Sequence, residues 1–173
     1  MPMNEYVELD HVTPLEALAT AIAIQTDALS RLRFKFEVQQ MMLSAGSTTW
    51  VSETTEELEA AIDDVQSSDL AFRTALARTA ASLGLSPEST LREVAEVVEE
   101  PWNYIFRQGR DELKRSIDRV AMLCGENRKL LARGYLATTA ALSLLGVETT
   151  TAYNATGAPV QSAQSANILN AKA

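Results

Sequence analysis

The sequence predicts an all-α protein: an elongated antiparallel helical bundle, or helical hairpin, of three long helices plus one short helix, with a flexible C-terminal tail. Three observations predict it. Apolar residues step 3, 4, 3, 4 through long stretches of the 173 residues, the spacing of a helix seam. Glycine or proline punctuates those stretches, and Ser/Thr with a downstream Glu opens them. Past Gly146 the seam stops and Ala, Ser, Thr and Asn take over, which predicts a segment mobile in isolation. The boundaries expected are a helical domain over 1–147 and a tail over 148–173.

Residues 1–12 form a short lead. Thr13-Pro14-Leu15-Glu16 then starts a helix: Thr13 caps it, Pro14 presets φ, and Glu16 completes a capping box. Its seam is Leu15, Leu18, Ile22, Leu29, Leu32, Phe36 and Leu43, with Gln25 and Gln39 at the remaining stations. Gly46 stops it. After a turn at Ser47–Trp50, Thr54-Thr55-Glu56-Glu57 offers a second capping box, and a seam follows through Leu58, Ile62, Val65, Phe72, Leu76 and Leu83 to Gly84. Thr55, Asp69 and Thr79 interrupt that stripe, as structural or register positions.

Ser86-Pro87 opens a third, short helix, roughly Pro87 to Glu99, and Pro101 imposes a sharp bend after it. The last helix follows, with Trp102, Ile105 and Phe106 closing one end of the bundle. Its seam is read as Leu113, Ile117, Val120, Cys124, Asn127, Leu131, Gly134, Thr138, Ala141 and Leu145. Large stations give way to small ones near Gly134. At about 45 residues against about 30 for each partner, this helix outruns its neighbours by ~20 Å. An exposed apolar strip around Tyr135, Leu136, Leu142, Leu144 and Leu145 is therefore expected, and such strips mark partner sites. Tyr153, Val160, Ile168 and Leu169 are the sizeable anchors of the tail, suited to folding on binding.

Charge narrows the function. The formal net charge of −8 disfavours non-specific binding to nucleic acid. Residues 47–100 hold 12 acidic and 3 basic side chains, whereas residues 101–147 hold 4 and 8, so the last helix is expected to lay a basic face against the acidic second one. The one cysteine, Cys124, excludes an intramolecular disulfide and reads as a buried, inert thiol. No apolar run reaches the ~18–20 residues of a membrane span, and the first residues lack a signal-peptide pattern. A cytoplasmic protein with no stable membrane insertion is expected.

Chemistry is sparse. His11 lies in the lead without metal partners, and no phosphate-binding glycine loop, zinc spacing or nucleophile motif occurs. The carboxylates of the second helix read as a solvated face. No enzyme activity and no cofactor are expected.

One set of motifs points to a family. Leu83-Gly84-Leu85 ends the second helix, Asn127-x-x-Leu130-Leu131 lies in the longer one, and Thr151-x-Tyr153-x-x-x-Gly157 marks the tail. Their order and spacing resemble the FlgN family of flagellar export chaperones. The resemblance implies a non-ATP-using cytoplasmic chaperone that holds hook–filament junction proteins and presents them to the flagellar type III export apparatus. It places Asn127, Leu130 and Leu131, with the C-terminal helix, on the client-binding side, and Tyr153 in a tail that captures client or docks at the export gate. The exposed strip and tail anchors extend the client-binding set to Tyr135, Leu142, Leu145, Ile168 and Leu169; Gly157 joins Tyr153 at the gate. The protein is expected as a monomer or homodimer. A different class stays open: a self-associating structural helical hairpin, type VII-like, with no client. Its expected Gly two residues after Trp50 is Ser52, and no Tyr-x-x-x-acidic signal stands at Tyr153.

Overall fold

The computed structural model describes residues 12–47, 49–144, 151–153 and 159–161. Four helices follow in order: α1 (Pro14–Ser44), α2 (Val51–Ser82), α3 (Leu91–Val97) and α4 (Trp102–Leu144). Two short strands, β1 (Thr151–Tyr153) and β2 (Pro159–Gln161), pair antiparallel, with Ala152 opposite Val160. The chain divides into two compact units, Met1–Leu131 and Ala132–Ala173.

In the first unit the ends of α1 are those the local sequence dictates. The Glu16 amide donates to Thr13 Oγ1 at 3.2 Å, and the Thr13 amide donates to Glu16 Oε2 at 2.8 Å. That backbone hydrogen bond, then the one from the Thr13 hydroxyl, hold the Glu16 carboxyl below its ordinary pKa. At the other end Gly46 adopts φ 67°, and the amides of Gly46 and Ser47 donate to the carbonyls of Leu43 and Met42. Gly84 repeats the arrangement after α2 at φ 73°, with Gly84 and Leu85 donating to Ala81 and Ala80. Both are paired-bond helix stops that need a residue without Cβ strain.

Two expected starts differ. α2 begins at Val51, so Thr54 and Thr55 lie inside the helix; their hydroxyls donate back to Trp50, Val51 and Val51 carbonyls instead of capping. A hydroxyl one turn into a helix finds the preceding carbonyls closer than any free amide. α3 starts at Leu91 instead of Pro87, because Thr90 and Glu93 form the capping box there, with the Thr90 amide on Glu93 Oε2 at 2.7 Å. The Thr-x-x-Glu spacing was present in the sequence; Ser86-Pro87 competed with it and became a turn.

The core has two parts. Leu18, Ile22 and Leu29 of α1 meet Ala80, α3 residues Leu91, Val94 and Ala95, and Phe106 and Leu113 of α4. Further along, Leu32 and Phe36 meet Leu58, Ala61 and Leu123. The tilted rings of Trp102 and Phe106 lie 5.8 Å apart between centres and pack in the first part of the core, whereas Ile105, expected with them, is exposed. Thr79, fully buried, donates to the Pro14 carbonyl at 2.9 Å and ties α2 to the start of α1.

The packing of α4 corrects its expected seam. Phe106, Leu113, Leu123 and Asn127 are buried, with Gly109, Ser116 and Val120 half-buried between them and Leu130 half-buried after them. Ile117 and Leu131, read as seam positions, are 52% and 41% exposed. Two interleaved 3,4 rows share Leu113, Val120 and Asn127, and the row through Leu123 faces inward. Gly109 shows how close the approach is: a Cβ there would lie 2.7 Å from Ile22 Cγ2.

The charged faces are corrected too. α4 answers α1, not α2: Arg119 lies 3.6 Å from Glu37, and Gln40 donates to Glu126 at 2.7 Å. No ion pair joins α2 to α4 among the described residues.

Candidate functional site

Asn127 fixes the register of α4 in the first unit. Its Nδ2 donates to the Phe36 carbonyl and to Gln39 Oε1, both at 2.9 Å, and the residue is 2% exposed. Gln39 is itself buried, so a polar station on α1 pairs with one on α4 inside an apolar seam, a device that specifies alignment, while Asn127 Oδ1 finds no partner among the described residues. Leu130 is half-buried one turn further, and Leu131 on the next row is exposed.

The second unit takes up α4 at Ala132. Helical spacing continues, yet burial does not: of residues 132–144 only Thr139 and Leu142 are even half-buried. Tyr135, Leu136 and Leu144 are 55%, 65% and 89% exposed. Gly134 has nothing within 4 Å of its Cβ position, and the Thr138 hydroxyl donates to the Gly134 carbonyl in the same helix. Tyr135, Leu136 and Leu144 thus present large apolar side chains to solvent on a stretch where almost nothing is buried.

The remaining candidates divide. The Tyr153 backbone is described, opposite Pro159 in the β1–β2 pair. That pair was not expected in a tail read as unstructured. Its residues, Thr-Ala-Tyr and Pro-Val-Gln, are too few to show strand periodicity. Leu145, Gly157, Ile168 and Leu169 lie outside the described residues. Of the expected apolar strip, Tyr135, Leu136 and Leu144 are exposed and Leu142 is half-buried.

Other chemistries find little to work with. Among the described residues no cluster of His, Cys, Asp and Glu could hold a metal ion, and no helix is long and apolar enough to cross a membrane. Cys124 is a free, half-buried thiol.

The FlgN protein family matches residues 14–161, from the first residue of α1 to the last of β2. The chain belongs to the FlgN family. FlgN proteins are flagellar export chaperones. No curated protein and no solved structure matches the chain.

Proposed function

We propose that this FlgN chaperone binds hook–filament junction proteins through the C-terminal part of α4 and the tail, prevents their premature assembly, and delivers them to the flagellar type III export gate. It acts in the cytoplasm without a nucleotide or any catalytic step. One observation carries the reading: Leu131, Tyr135, Leu136 and Leu144 are exposed on the part of α4 where burial ceases. A client's amphipathic helix laid on these residues buries apolar surface on both partners, a helix-on-helix association at roughly 25 cal/mol per Å². Leu142 and Leu145 extend the surface, and residues 148–173 add Ile168 and Leu169 at a cost in ordering entropy. Asn127 and Leu130 act by positioning the helix, because Asn127 has no free surface. Tyr153 and Gly157 belong to the segment that docks at the gate.

The test is co-purification with a junction protein. Tyr135→Asp with Leu136→Asp should weaken client binding at least tenfold and leave the thermal midpoint unchanged, since both side chains are exposed. A chain truncated after Leu144 should keep its helical circular dichroism and lose most client binding. Undiminished binding by both variants would remove the assignment.

A further inference from the structure

Between α2 and α4, within the first unit, lies an open apolar groove of about 490 Å³. Leu29, Leu32 and Phe36 of α1 form its floor, and Ile62 and Ile117 stand on its opposite flanks. The flanks differ in charge. On α2 the row Glu59, Ile62, Gln66, Asp69 keeps 3,4,3 spacing, with Asp63 beside it. On α4 the row Lys114, Ile117, Ala121, Cys124, Arg128 keeps 3,4,3,4. Glu59, Asp63, Lys114 and Arg128 are all exposed and form no ion pair among the described residues. Asp69 bonds Arg73 on its own helix at 2.8 Å. The acidic and basic rims therefore flank one apolar slot and do not meet across it.

We infer that this face pairs with a second copy of the same chain. Such a face is self-complementary. A two-fold axis along the groove sets each acidic rim against the other copy's basic rim, because it exchanges left and right and keeps height along the bundle. Leu58 and Ala61 pack with Leu123, so Glu59 lies toward the Arg128 end of the groove. The symmetric arrangement thus brings Glu59 of each copy opposite Arg128 of the other, and Ile117 over the other copy's Ile62 row. An interface in which α2 met α2 would place like charges together and is disfavoured. The groove covers about two turns on each flank, short of the ~1,200–2,000 Å² of a stable interface. The dimer is accordingly weak and concentration-dependent.

Sedimentation velocity on the full chain over a range of concentrations tests this, with the alkylation rate of Cys124 as a reporter inside the groove. The mean mass should rise from monomer toward dimer, and N-ethylmaleimide should modify Cys124 several-fold more slowly as it does. Arg128→Glu should abolish both changes, and Glu59→Arg combined with Arg128→Glu should restore them. Ile117→Asp, at an exposed position, should also keep the protein monomeric with an unchanged circular dichroism spectrum. The inference is overturned by a monomer at every concentration, or by Arg128→Glu dimerising like the parent. It is equally overturned if Cys124 reactivity is constant with concentration, which would mean the chain covers its own groove, or falls only when a junction protein is added. The mass and reactivity of the parent and of the Glu59, Ile117 and Arg128 variants are read without a junction protein, and the Tyr135 and Leu136 variants probe the client surface separately.

Discussion

Gly109 and Gly125 sit in the same helix, and only one has a neighbour that forbids a side chain. A Cβ at Gly109 would meet Ile22 Cγ2 at 2.7 Å, whereas nothing lies within 4 Å of that position at Gly125. Alanine is better than glycine in a helix interior by about 0.8–1.0 kcal/mol. Gly125→Ala should therefore raise stability by up to about 1 kcal/mol in urea denaturation. Gly109→Ala should lower it, since the β-branched Ile22 cannot swing its methyl aside without moving α1 and α4 apart. Asn127 makes the related point for a polar residue. Removing its amide strands Gln39 Oε1, and Asn127→Ala should cost ~1–3 kcal/mol by the same measurement. As letters in the sequence, neither the glycine nor the asparagine reveals what faces it.

At the scale of elements, helix starts and stops were legible where one signal stood alone. Thr13-Pro14-Leu15-Glu16, Gly46 and Gly84 act over three to six residues, and their geometry is local. Two starts were misplaced where signals competed, at Thr54 and at Ser86-Pro87. The capping boxes give α1 and α3 a pH dependence. Hydrogen bonds from the Thr13 and Thr90 amides, then from their hydroxyls, lower the pKa of Glu16 and Glu93 from an ordinary 4.5. A depressed carboxyl contributes stability above its unfolded value and loses it as pH falls through the lower folded one. Thermal melts of Glu16→Gln and Glu93→Gln should thus lie below the parent at pH 7 and converge with it as pH falls below 4.5 through the lowered carboxyl pKa. Thr13→Ala should cost about 1 kcal/mol at neutral pH.

For the whole molecule, the decisive feature is a mismatch of lengths. α4 has 43 residues against 31 and 32 in α1 and α2, about 65 Å against about 47 Å. Burial reports the consequence, since α4 is anchored at Phe106, Leu113, Leu123 and Asn127 and solvent-exposed through most of 132–144. A helical stretch of this length with few tertiary contacts is marginal by itself. Amide hydrogen exchange should be markedly faster over 132–144 than over 106–127, and a bound junction protein should slow it there. Equal protection of the two stretches in the free protein would contradict this account. The sequence made the mismatch readable, because helix length follows from periodicity and punctuation alone.

By itself the sequence determined the four helices, most of their ends, and membership of a family through motifs kept in order. These rest on interactions within a turn or two of chain, which the order of residues specifies directly. Tertiary structure alone decided which row of α4 is buried. Ile117, Cys124 and Leu131 satisfy the same 3,4 spacing as Ser116, Leu123 and Leu130, about 100° around the axis. The choice between them is made by Ile22 against Gly109 and by Phe36 and Gln39 against Asn127, contacts that span 87 to 91 positions of chain. That choice turns Ile117 outward, keeps the rims of α2 and α4 apart, and leaves open the groove between them.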